Sequence, residues 1–110
     1  KSKASRSKDK VYIIQQIDRK TDLEEIAMAK SQTMDELIDE IEAICYSGVK
    51  LNLNYYIDNI LSKDEQQEIY DYFMQAKEDN IKQAYKALGD HYNEEDIRLM
   101  RIKFLSEVAN

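Results

Sequence analysis

Few residues in this chain could do chemistry. There is one histidine, His91, and one cysteine, Cys45, 46 positions apart. A zinc site needs Cys and His clustered at short spacing. Cys–His and Ser–His–Asp catalysis draw on the same scarce residues. Neither can be assembled here, so Cys45 reads as a buried small apolar residue and His91 as a solvent-exposed loop residue. Phosphate-gripping loops need glycines, so that backbone N–H groups can approach the anion. With Gly48 and Gly89 alone, no Walker-type or dinucleotide-binding loop can form. Carboxylates are plentiful, and Asp35, Glu36, Asp39, Glu40 and Glu42 crowd one segment. Paired acids can work as general acid and base. Here they fall opposite Leu37, Ile41 and Ile44, which makes them a solvated helix face, and the first two suit the positive end of a helix dipole. No segment follows the calcium-loop pattern. The expectation is a non-catalytic chain with no cofactor and no metal of its own.

What remains is binding. The eight tyrosines include Tyr46, Tyr55 and Tyr56 near the middle of the chain. Aromatic faces can stack on unpaired bases, but the expected role is half-buried core with the hydroxyl at the surface. The bases that could touch phosphates or a partner are Lys3, Arg6, Lys8 and Lys10 at the start, and Arg98, Arg101 and Lys103 near the end. Lys77, Lys82 and Lys86 precede the second group. Glu94 and Arg98 are spaced as an ordinary helical surface pair.

The elements that must position these residues are helices. The 110 residues include no proline and only two glycines, and strand signals are nearly absent; such composition favours an all-α fold. Residues 1–9 are small, polar and basic, and read as a flexible basic linker. Val11, Ile14 and Ile17, widened by Tyr12 and Ile13, predict a helix from about residue 10 to 19. Next come Thr21 with Glu24 and Thr33 with Glu36, two Thr-x-x-Glu capping boxes. They open a short helix carrying Leu23, Ile26 and Ala27, and a longer one carrying Met34, Leu37, Ile38, Ile41, Ile44 and Cys45. Two capped helices across so short a turn form a helix-turn-helix, with the first helix covering its open side. Gly48 is placed for a left-handed end.

Residues 49–53 alternate like a strand but have no partner strand, so they read as an extended connector. Beyond it, Asn54, Ser62 with Glu65, Asp79 and Asn93 are the expected caps of four more helices. Their apolar faces hold Tyr56, Ile57, Ile60 and Leu61; then Ile69, Tyr72, Phe73 and Ala76; then Ile81, Ala84, Tyr85 and Leu88; then Ile97, Met100, Phe104, Leu105 and Val108. The prediction is an all-α fold of about seven helices. A three-helix unit over 10–48 is followed by a second small helical subdomain over 49–110, with which it forms one domain.

Net charge is −6, unevenly spread. Residues 1–10 hold five bases against one acid, and the remainder holds eleven against twenty-one. The start is thus suited to phosphates that the body would repel. A lone cysteine fits a reducing compartment. No apolar run is long enough to span a membrane, and no signal-peptide pattern is present. A first residue of Lys rather than Met is read as a fragment of a longer protein. In DNA-binding helix-turn-helix units the second helix enters the major groove, often with Arg, Lys, Asn or Gln. No Lys or Arg occurs between Thr33 and Ser47, so groove reading by this helix is not expected.

The order of residues nevertheless carries a resemblance. Ile26-Ala27, Thr33-Met34, Leu37, Ile44 and Gly48, then KLNLNYYI and a closing EEDIRLMRIKFLSEVAN, resemble the C-terminal region of RecQ-family DNA helicases of the Bacteroides type. The resemblance covers nearly all of residues 11–110, and its most specific part is EEDIRLMRIKFLSE. It implies a parent enzyme that unwinds DNA 3′ to 5′ with ATP and magnesium, in DNA recombination and repair, in the bacterial cytoplasm at the nucleoid. The motor, zinc-binding segment and winged helix of that parent would lie upstream, and none of its catalytic residues maps here. The resemblance implies an accessory domain that assists DNA engagement or positions the motor. The competing reading is an acidic helical module that binds a protein without touching DNA, with apolar contacts from Tyr55, Tyr56 or the Met28 and Met34 region.

Overall fold

The first helix begins earlier than its apolar pattern does. In the computed structural model, which describes the backbone of residues 3–78 and 80–108 and the side chains of 8–78 and 80–108, α1 spans Lys3–Asp18. Residues 3–9 are therefore helical and not the flexible linker that their polarity predicts. Ala, Lys and Arg are good helix formers and no breaker intervenes. Asp9 and Lys10 are also tied to later residues, through the Lys30 ammonium at 3.5 Å and the Ser47 hydroxyl at 3.1 Å. The inward face is narrower than the pattern suggests. Ile13 and Ile17 are buried, Ile14 is half-buried and Val11 is exposed.

Helix α2 (Leu23–Ala29) and α3 (Met34–Tyr46) complete the first unit. Asp22, not Thr21, caps α2: its carboxylate accepts from the Glu24 N–H at 2.8 Å, while the Thr21 hydroxyl donates to Gln16. At α3 the Thr33–Glu36 capping box is present in both directions. Leu23, Ile26, Ala27, Leu37, Ile38, Ile41 and Ile44 are buried with Ile13 and Ile17. Cys45 is only half-buried, at the edge of that core and not inside it.

All three helices end alike. The residue two beyond each last helical residue takes a left-handed backbone, at Lys20 (φ 61°), Ser31 (φ 55°) and Gly48 (φ 102°). The paired bonds of a Schellman end follow: Lys20 N–H to Ile17 and Thr21 N–H to Gln16, Ser31 to Met28 and Gln32 to Ala27, Gly48 to Cys45 and Val49 to Ile44. Only the third uses glycine, the residue that takes this backbone without Cβ strain. The turn of the helix-turn-helix is thus made by the Ser31 bend.

Residues 49–53 form no regular structure, as an unpaired alternating run should not. The chain divides into two units, Lys1–Asn52 and Leu53–Asn110. The second holds α4 (Asn54–Ile60), α5 (Lys63–Gln75), α6 (Ile81–Leu88) and α7 (Glu94–Val108). There are seven helices and no strand among the described residues. Leu53 stands at the N-cap of α4 with no side-chain cap, and Asn54 is already helical. Ser62 and Glu65 form the expected capping box. Asp79 lies outside the described residues; Asn80 caps α6 through the Lys82 and Gln83 N–H groups. Asn93 caps α7, accepting from the Asp96 N–H at 2.8 Å.

Helix α7 is the centre of this unit, in contact with α4, α5 and α6. Ile97, Arg98, Leu99, Met100, Ile102 and Phe104 are all buried, a wider set than one stripe, as expected of a helix enclosed on several sides. Val108, expected to face inward, is exposed. Phe104 stacks on Phe73 at 5.7 Å between ring centres and takes the edge of Tyr70 at 5.3 Å.

One part-buried bond gives this unit a measurable alkaline weakness. The Tyr92 hydroxyl donates to the Glu68 carboxylate. That bond first, then burial and the charges of Glu68 and Glu65, push the phenol up to about 12. Between its ordinary value of 10 and about 12, the unfolded chain releases the proton while the folded chain keeps it. Stability from this bond is therefore complete below pH 10 and is lost as pH rises towards 12. Urea unfolding measured across that window should decline more steeply for the native chain than for Tyr92→Phe; equal slopes would contradict this account.

Candidate nucleic-acid interface

The bases singled out in the sequence fall in both units, those of the start in the first and Arg98, Arg101 and Lys103 in the second. Arg98 is buried, only 9% exposed, which removes it from any contact surface. The reason is the position of α7: a helix touched by three others has little solvated face left. Lys103 is half-buried and its ammonium donates to the Gln66 amide oxygen at 3.3 Å. Gln66 is itself buried, and its amide nitrogen donates to Asp58 at 2.9 Å and to the Leu61 carbonyl at 3.0 Å. Asp58 also takes the Lys63 ammonium at 3.2 Å, and these two bonds, Gln66 foremost, hold its carboxyl below the usual carboxylate range. Lys103 thus belongs to a network tying α4, α5 and α7. Arg101 is half-buried on the same helix and engaged in interactions of its own. Asp96, at the start of α7, is pushed up by burial and by the nearby Glu65.

At the other end, Lys8 is exposed and Lys10 is half-buried on α1. The side chains of Lys3 and Arg6 lie outside the described residues, though their backbone is helical. The basic start of the chain is therefore a helical ramp leading into the first unit. Lys77, Lys82 and Lys86 are exposed in the second unit.

Helix α3 occupies the place of a groove-reading helix and has the wrong charge for it. Asp35, Glu36 and Asp39 are exposed, and Glu40 and Glu42 are half-buried. A phosphate backbone would be repelled by this face. Tyr46 is 64% exposed at the end of α3, whereas Tyr56 is buried and Tyr55 half-buried on α4. Met28 is exposed on α2 and Met34 half-buried on α3. His91 is exposed, as its loop position suggests. No group of three or more Cys, His, Asp or Glu that could hold a metal occurs among the described residues. No helix there is long and apolar enough to cross a membrane.

One arrangement has no sequence signal at all. The Lys30 side chain, 9% exposed, lies between the Asp9 and Glu40 carboxylates at 3.5 and 3.6 Å. The Gln32 amide nitrogen donates to Glu40 as well. This clamp joins the end of α2 to α1 and α3. Beside it, α1 and α3 border a groove of about 490 Å³. Its partners are far apart in sequence and none falls in a motif, so periodicity could not have found it.

No curated protein matches the chain. Residues 7–57 match the family model described as RecQ-1-like, helix-turn-helix domain, a span that runs from α1 through the helix-turn-helix to α4. A helix-turn-helix domain is a non-catalytic module. Over those residues, somewhat under half of its length, the chain is similar to a RecQ-type helix-turn-helix domain.

Proposed function

We propose that this chain is a non-catalytic C-terminal accessory domain of a RecQ-family DNA helicase of the Bacteroides type, serving unwinding in recombination and repair. The observation that carries the reading is the family match over residues 7–57, which takes in α1, α2 and α3 and runs on into α4. In this reading ATP hydrolysis and its magnesium belong to a motor outside this chain, in the bacterial cytoplasm. The domain assists DNA engagement or positions that motor. Its acidic α3 argues against groove reading. DNA engagement then rests on phosphate contacts from the basic start of α1, where Lys3, Arg6, Lys8 and Lys10 stand within the helix.

The test is a low-salt anisotropy titration of labelled forked and single-stranded DNA, comparing the chain with its Lys3→Gln/Arg6→Gln/Lys8→Gln variant. Lys10 is left in place because it bonds Ser47. The expected result is measurable binding whose dependence on log salt becomes shallower by roughly 0.7–0.9 for each phosphate contact removed. Binding unchanged in the variant would move the contact away from the start of α1, and no binding by the native chain would remove DNA engagement and leave motor positioning.

A further inference from the structure

We propose that the groove between α1 and α3 docks a cationic, amphipathic segment of a partner protein. It adjoins the basic start of α1, since Asp9 and Lys10 line it, but it calls for a ligand of opposite charge and does not rest on the DNA contact above. The groove has Ala43 exposed at its floor, with the buried Ile13 and Ile44 beneath, and a rim carrying Glu36, Asp39 and Glu40. Its volume, about 490 Å³, is within the range of roughly 300–1,000 Å³ usual for binding pockets.

The occupant follows from charge. Four carboxylates line the groove, those of Asp9, Glu36, Asp39 and Glu40, against Lys10, which donates to Ser47, and the adjoining Lys30, which pairs with Asp9 and Glu40, so that acid remains in excess by two. Helix α3 contributes no base anywhere along its length. A polyanion is repelled by such a rim. A segment with Lys or Arg on one side and aliphatic residues on the other matches both rim and floor, in the manner of a helix laid into a groove. The apolar side chains would supply most of the affinity. The ion pairs at the rim would set orientation and association rate. Ala43 is exposed at the floor, and its small side chain leaves the space that an apolar anchor would fill. The position held by the groove-reading helix of a DNA-binding unit thus becomes a receptor for a basic peptide.

The experiment uses the whole chain, isotope-labelled, titrated with a helix-forming peptide of Lys, Leu and Ala, and with the same peptide carrying Glu in place of each Lys. The basic peptide is expected to bind saturably and to move the amide signals of Lys10, Ile13, Asp39 and Ala43; the acidic peptide is expected not to. Ala43→Lys fills the floor and adds one positive charge, and should weaken binding about tenfold. Glu25→Gln makes the same change of charge on exposed α2 and should leave binding nearly unaltered. Asp39→Asn gives a milder loss and serves if Ala43→Lys does not fold. The proposal is overturned if the basic peptide does not saturate, if its shifts map elsewhere, or if Ala43→Lys and Glu25→Gln behave alike. It is equally overturned if those amides move on concentrating the chain alone, which would make a second copy the occupant, or if those of Asp39 and Ala43 move on adding single-stranded DNA.

Discussion

Arg98→Glu is expected to destabilise the C-terminal unit by about 3–5 kcal/mol. Arg98 lies 9% exposed on α7, between the buried Ile97 and Leu99 and two residues before the buried Met100. Replacing a guanidinium there with a carboxylate removes one charge from its settled surroundings and buries another without a matching partner. An exposed base on a nucleic-acid surface would behave differently, since reversing it changes association while leaving folding nearly untouched. Urea unfolding followed by circular dichroism separates the two. The midpoint for Arg98→Glu should fall sharply, and that for Arg101→Glu, at a half-buried site, by less. If the Arg98→Glu midpoint matches the native chain, the burial of this residue is wrong and its role as a surface contact returns. Because small domains are stable by only about 5–15 kcal/mol, weakened DNA binding in this variant must first be read as lost folding.

Phe104→Ala should be of comparable size, about 3–5 kcal/mol. The ring lies 9% exposed on α7, stacked on Phe73 and met by the edge of Tyr70. Truncation opens a cavity bordered by two elements and breaks both ring contacts, each worth roughly 0.5–1.5 kcal/mol beyond simple burial. Phe104→Leu keeps most of the volume and should cost clearly less. Measured unfolding free energies in the order native, Leu, Ala would support this packing. Equal values for the Leu and Ala variants would mean that the cavity collapses and that the ring is not the keystone of α7.

Caps that close within one helical turn are legible in the sequence. Thr33 with Glu36, Ser62 with Glu65, and Asn93 act within one helical turn, so their geometry is complete in a few residues. Where several polar residues stand together, the choice among them is finer than the pattern. Asp22 takes the cap expected of Thr21, and Leu53 stands where Asn54 was expected. The start of α1 has no apolar period to announce it, because residues 3–8 include no large apolar residue. The left-handed ends at Lys20 and Ser31 are invisible for a similar reason. Glycine is the usual marker of such ends, and here other residues bear the strain.

The candidate sites divide the same way. The absence of a Lys or Arg on α3 is a property of the sequence, and it sufficed to set that helix against phosphate. That all-helical elements form, and in which order, was likewise determined locally, by composition, period and caps. The burial of Arg98, the engagement of Lys103 with Gln66, the clamp of Asp9, Lys30 and Glu40, and the groove beside it were decided only by tertiary structure. Each depends on residues many turns apart meeting across helices, and a one-dimensional pattern records which face of a helix is apolar but not how many neighbours enclose it.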